Sequence, residues 1–87
     1  MNIGLRAIII FLLNKKYIKN RHYPEKQLIT QKTKYLNPEQ KKQFDDEYKQ
    51  FRDKFLFRTK KRTGKGSDWH ISLDSKKVNE AYDLLKT

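Results

Sequence analysis

Five cations and no acid occupy the stretch from Arg58 to Lys65: Arg58, Lys60, Lys61, Arg62 and Lys65. Side chains of this kind bind anions. Arginine grips phosphate oxygens with paired N–H groups, and lysine acts as a mobile point charge. The flanks are short and apolar. Phe55, Leu56 and Phe57 precede the run, and Trp69, Ile71 and Leu73 follow, alternating with Asp68, His70 and Ser72. Alternation puts the two sets on opposite faces of a strand, and Gly64, Gly66 and Ser67 supply turn chemistry. The stretch therefore predicts a β-hairpin with a cationic tip. Lysines spread for solubility would be interspersed with acids; this run is dense, acid-free and includes two arginines.

Other chemistries find no constellation. Residues 63–67 (TGKGS) lack the spacing of a phosphate loop, because Thr59 stands where the first glycine belongs and Gly66 follows Lys65. His22 and His70 have no motif spacing with carboxylates, and His70 is expected as an ordinary strand residue on the outer hairpin face. Asp45, Asp46 and Glu47 are adjacent on a predicted helix, so they point apart and do not converge on a metal. No nucleophile–base pair is visible. The expectation is a protein that is not an enzyme and uses no cofactor or metal. Trp69 next to the cations suits stacking on a base, but its phase with Ile71 and Leu73 predicts a core position.

The chain has 87 residues, enough for a single domain spanning 1–87 with a modest core. Its formal charge of +11 is self-repelling, and the usual reason to carry such charge is a polyanionic partner. Cysteine is absent, which excludes disulfides, thiol catalysis and cysteine-ligated zinc and agrees with a cytoplasmic location. The apolar run AIIIFLL at residues 7–13 lies between Arg6 and the pair Lys15, Lys16. It is far short of the roughly 20 residues a membrane span needs, and no small-residue cleavage site follows it. Lying on an anionic membrane surface is a further reading of this segment and the lysines after it.

The elements that must position the hairpin are helical. Residues 2–19 read as a helix that is apolar nearly all round, with Ile3, Ala7, Ile10 and Leu13 on one face and Leu5, Ile9 and Leu12 on another. Pro24 opens a second helix reaching Leu36, with Leu28, Ile29, Tyr35 and Leu36 as its stripe. Asn37-Pro38-Glu39 is a strong start signal for a third helix, ending near Lys54. That helix carries Phe44, Tyr48, Phe51 and Phe55 on one face, with i,i+4 pairs Lys41–Asp45 and Asp45–Lys49 outside. After the hairpin, Asp74 or Ser75 caps a last helix with Val78, Ala81, Tyr82 and Leu85 inward. The expected core joins the aromatic face of the third helix, Trp69, Ile71, Val78, Tyr82 and Leu85 to Ile3, Ile10 and Leu13.

Three helices, a basic hairpin and a C-terminal helix, in that order, resemble a winged helix-turn-helix domain of the α+β class. The resemblance rests on element order and covers most of the chain. It implies duplex DNA as partner, with the third helix in the major groove and the hairpin wing on the backbone. Carried onto this chain, it implies Lys41, Lys42, Gln43, Lys49 and Arg52 on the helix, and Arg58, Lys60, Lys61, Arg62 and Lys65 on the wing. Such a protein would act as a transcriptional regulator or a nucleoid-type protein. A homodimer through residues 3–13 would cover the apolar first helix and pair two half-sites. The acids at 45–47 sit awkwardly on a DNA-reading helix. The competing function is a protein-interaction module or inhibitor docking on nucleic-acid machinery. A charge of +11 is the wrong sign for an inhibitor that imitates DNA.

Overall fold

A computed structural model describes residues 1–63 and 66–86. They form an α+β fold of four α-helices and a three-stranded antiparallel sheet. Helix α1 (Ile3–Asn14) starts at Asn2, whose Oδ1 accepts from the Gly4 amide at 2.8 Å. The same side chain donates from Nδ2 to the Gln40 carbonyl and to Gln43 Oε1, and the Asn2 amide donates to Glu47 Oε1. One buried asparagine thus caps a helix and pins it to another.

The buried face of α1 is Leu5, Ile8, Ile9, Leu12 and Leu13, touching every other helix and the sheet. The expected core members Ile3 and Ile10 lie outside it; Ile3 is 69% exposed. With apolar side chains all round, two faces compete, and the bulkier run at i, i+3, i+4 and i+7 turns inward.

The helix also ends at Asn14, not near residue 19. The Lys16 amide bonds Leu13 O and the Tyr17 amide bonds Leu12 O, a Schellman closure with Lys16 left-handed at φ 57°. A second left-handed residue, Lys19, returns the chain to the sheet, where Lys19 N donates to Leu73 O and Leu73 N to Tyr17 O. Phe11, Tyr17 and Tyr23 close this loop as three rings with centroids 5.0–5.6 Å apart.

Strand β1 (Tyr23–Pro24) has no counterpart in the sequence expectation, which opened a helix at Pro24. It pairs Tyr23 with Ile71 and Pro24 with His70, at a sheet edge where a missing N–H is tolerated. Helix α2 (Glu25–Thr33) then buries Leu28 and stops short of Leu36. Tyr35, expected on its apolar stripe, is exposed in the turn.

Helix α3 (Pro38–Phe55) matches its start signal, with a capping box. Asn37 Oδ1 accepts from Gln40 N, and Gln40 Oε1 accepts from Asn37 N. Phe44, Tyr48, Phe51 and Phe55 are all buried, stacked in pairs with centroids 5.4 and 4.8 Å apart. The pairs Lys41–Asp45 and Asp45–Lys49 do not close, leaving Arg52–Asp53 as the one ion pair within this helix among the described residues.

Strands β2 (Leu56–Thr63) and β3 (Gly66–Leu73) form the hairpin, giving the strand order β1-β3-β2. Asp74 caps a 3-10 turn (Ser75–Lys77) that leads into α4 (Val78–Leu85). Ala81 is buried and Val78 and Leu85 pack against the core, but Tyr82 faces out.

Candidate nucleic-acid interface

Pairing assigns each hairpin side chain to a face. Leu56↔Leu73, Arg58↔Ile71 and Lys60↔Trp69 share one face; Phe57↔Ser72, Thr59↔His70 and Lys61↔Asp68 share the other. The cations therefore do not act as one row. Arg58 and Lys60 point to the side of Trp69, and Lys61 points to the side of the histidines.

Arg58 is engaged within the fold. Its Nη2 donates to Glu25 Oε1 at 2.8 Å, and Glu25 Oε2 accepts from the Tyr48 hydroxyl at 2.6 Å. Burial pushes the Tyr48 phenol well above its ordinary range, and the bond to the Glu25 carboxylate adds to the shift. The positive charges of Arg52 and Arg58 both oppose that shift. Arg58 also lies 4.4 Å over the Trp69 ring, with Lys60 Nζ at 5.5 Å. Trp69 is not in the core as expected: it is 42% exposed, bordering a cavity between α2 and β3 rather than packing directly on the helices.

Lys61 and Arg62 are exposed and make no ion pair among the described residues. Lys65 and Gly64, expected at the tip, lie outside the described residues. Gly66 and Ser67, expected in the turn, belong to β3.

On α3, Lys42 and Lys49 are exposed and make no ion pair among the described residues. Lys41 borders a groove against α2 with Ile29, Thr30, Thr33 and Asp45. Gln43 faces elsewhere, bonded to Asn2 at the start of α1. The structure thus ties Arg58 to the start of α2 through Glu25, pairs Arg52 with Asp53, places Lys41 at the groove between α2 and α3, leaves Lys42 and Lys49 exposed, and turns Gln43 toward Asn2. The three acids also diverge: Asp45 borders the groove, Asp46 is exposed and Glu47 holds the Asn2 amide.

Two features escaped sequence reading. The polar stripe Lys26, Gln27, Thr30 and Gln31 on α2 faces Trp69 across a cavity; its signal was the i, i+4 spacing opposite Leu28. The two histidines, 48 positions apart, meet on the outer sheet face with Nδ1 atoms 2.9 Å apart and rings edge to face. One Nδ1 must carry the hydrogen and the other accept it.

Lost hydration lowers the His22 pKa, and Lys61 and His70 lower it further. The unfolded chain, with an ordinary histidine near 6.5, then binds the proton more readily than the fold does. The stability contribution is complete above that value and is lost as pH falls through it. The melting midpoint is expected to drop between about pH 7.5 and 5.5, and His22→Gln should flatten that slope. Parallel pH profiles for the two proteins would refute the coupling.

Among the described residues no cluster of three or more His, Cys, Asp or Glu side chains is placed to hold a metal ion, and no helix is long and apolar enough to cross a membrane. Compared with known protein families, curated proteins and solved structures, the chain matches none.

Proposed function

We propose that the chain is a winged helix-turn-helix domain that binds duplex DNA mainly through its phosphates, as a small regulator or nucleoid-type protein of the cytoplasm. The observation that carries the reading is a helix, α3, running without a linker into a hairpin whose exposed Lys61 and Arg62 make no ion pair among the described residues. Unpaired cations retain their attraction for phosphate, whereas paired ones have spent part of it. Lys41, Lys42 and Lys49 are further exposed cations, on α3. Anisotropy of a labelled duplex, titrated with salt, tests the reading. If roughly five to seven phosphates are contacted, the slope of log K against log salt is expected near −4 to −6. A salt-independent or absent association would overturn it in favour of a protein-docking module.

The same reading includes a homodimer. Ile3 and Ile10 lie exposed on α1, with Ala7 between them, an apolar stripe suited to a second copy related by a two-fold axis. Sedimentation at micromolar concentration is expected to give a dimer, and Ile3→Glu with Ile10→Glu a folded monomer. A monomeric wild type would remove this part.

A further inference from the structure

A cavity of about 400 Å³ lies between α2 and β3, bordered by Lys26, Gln27, Thr30, Gln31, Asp68 and Trp69. Its size is at the lower end of small-ligand sites. Its chemistry is mixed in a particular way: an indole, two amides, a hydroxyl and an ammonium group.

The indole is held in place. Arg58 sits over the ring, Glu25 fixes Arg58, and the Tyr48 hydroxyl fixes Glu25. A half-exposed tryptophan anchored by a buried network is a preorganised stacking platform. Pairing between β1 and β3 stops at Pro24↔His70, so among the described residues no strand lies beside β3 at Trp69 and Asp68 on that edge.

We propose that this cavity receives one unpaired nucleobase, with Lys26 and Lys60 on its flanking phosphates. The inference rests on the nucleic-acid reading above and deepens it. The preferred ligand becomes a duplex with an adjoining single-stranded end or gap, not a continuous duplex. A base inside a duplex is already stacked and paired, so only an unpaired base can offer its π-face and its edge together. Gln27, Gln31 and Thr30 can each donate to or accept from that edge.

Trp69 is the sole tryptophan, so tryptophan fluorescence reports on the surroundings of this one ring. Three DNAs separate the possibilities: a blunt 16-base-pair duplex, the same duplex with a four-cytidine overhang, and the same overhang made abasic. The cytidine overhang is expected to quench Trp69 and to bind roughly tenfold more tightly than the blunt duplex. The abasic overhang should do neither. Trp69→Ala should erase the overhang advantage and leave blunt-duplex affinity in place, with circular dichroism checking the fold. Gln27→Ala with Gln31→Ala, on an exposed helix face, keeps the reporter and should reduce the advantage in part.

Equal affinity for the three DNAs without quenching would overturn the pocket while leaving the duplex reading standing. Absence of binding to any of them would overturn both. Quenching by the abasic overhang equal to that by cytidine would also overturn it, since the backbone alone would then be the cause.

Discussion

Replacing Lys60, Lys61 and Arg62 together by glutamate is expected to weaken duplex binding roughly a hundredfold near 0.1 M salt and to flatten the salt slope by about 2 to 3 units. Each phosphate contact releases about one counterion, so three lost contacts appear directly in the slope. The fold should survive. None of the three makes an ion pair among the described residues, all are exposed, and Arg58, which is tied into the interior, is left alone. Lys60 does lie over Trp69, so a small change in tryptophan emission should accompany the loss. The companion variant Asp45→Lys with Asp46→Lys tests the helix. If α3 lies along the duplex, removing two negative charges there should strengthen binding and steepen the slope. Anisotropy across a salt series, on wild type and both variants, decides the matter. Equal slopes for wild type and the hairpin variant would remove the hairpin from the interface.

The sequence was most legible where local chemistry and tertiary packing agree. Asn37, Pro38 and the four-residue aromatic spacing located α3 closely, because a capping box and a single apolar face leave no competing register. The hairpin was legible for a similar reason, since alternation from Trp69 to Leu73 fixes which side chains share a face. The first helix failed on both counts. Its stop is made by Lys16 in a left-handed conformation where glycine is the usual residue, so no sequence signal marks it. Its inward face is chosen by what α2, α3, α4 and β3 can cover, which periodicity does not reveal when every face is apolar. Strand β1 is two residues long and exists only because β3 lies beside it. The same holds for the candidate site. The charge of Arg58 was evident, but its partner Glu25 is 33 positions away and its hydroxyl-bearing neighbour is Tyr48, on another helix. Trp69 was in phase with the core and yet outside it, because strand phase gives the face and not how closely the helix opposite packs against it.

Glu25→Ala is expected to lower the unfolding free energy by about 3 kcal/mol, at the lower end of the range for breaking a buried pair. One carboxylate here joins three elements: it opens α2, accepts from Tyr48 on α3 and pairs with Arg58 on β2. Its side chain is 9% exposed, so its charge depends on these partners for stabilisation that water would otherwise give. Alanine would leave the Tyr48 hydroxyl without its acceptor and the Arg58 guanidinium without its counterion. The arginine side chain is 31% exposed and can recover some hydration, which is why the cost stays at the lower end. For a domain of this size, whose total stability is about 4 to 13 kcal/mol, that loss should lower the melting midpoint by about 12–20 °C. Glu25→Gln keeps the shape and an acceptor for Tyr48 but loses the charge, and should cost about half as much. Arg58→Ala leaves the carboxylate with one partner and should also be costly. The double variant Glu25→Ala with Arg58→Ala should be more stable than the sum of the two losses predicts, by about 1 to 3 kcal/mol, because the charge stranded by either single change is then gone. Urea unfolding of the four proteins measures this directly. Strict additivity, or a Glu25→Ala loss below about 0.5 kcal/mol, within the range of an ordinary surface substitution, would mean that the carboxylate does not hold the hairpin to the helices, and that the placement of Arg58 over Trp69 has another cause.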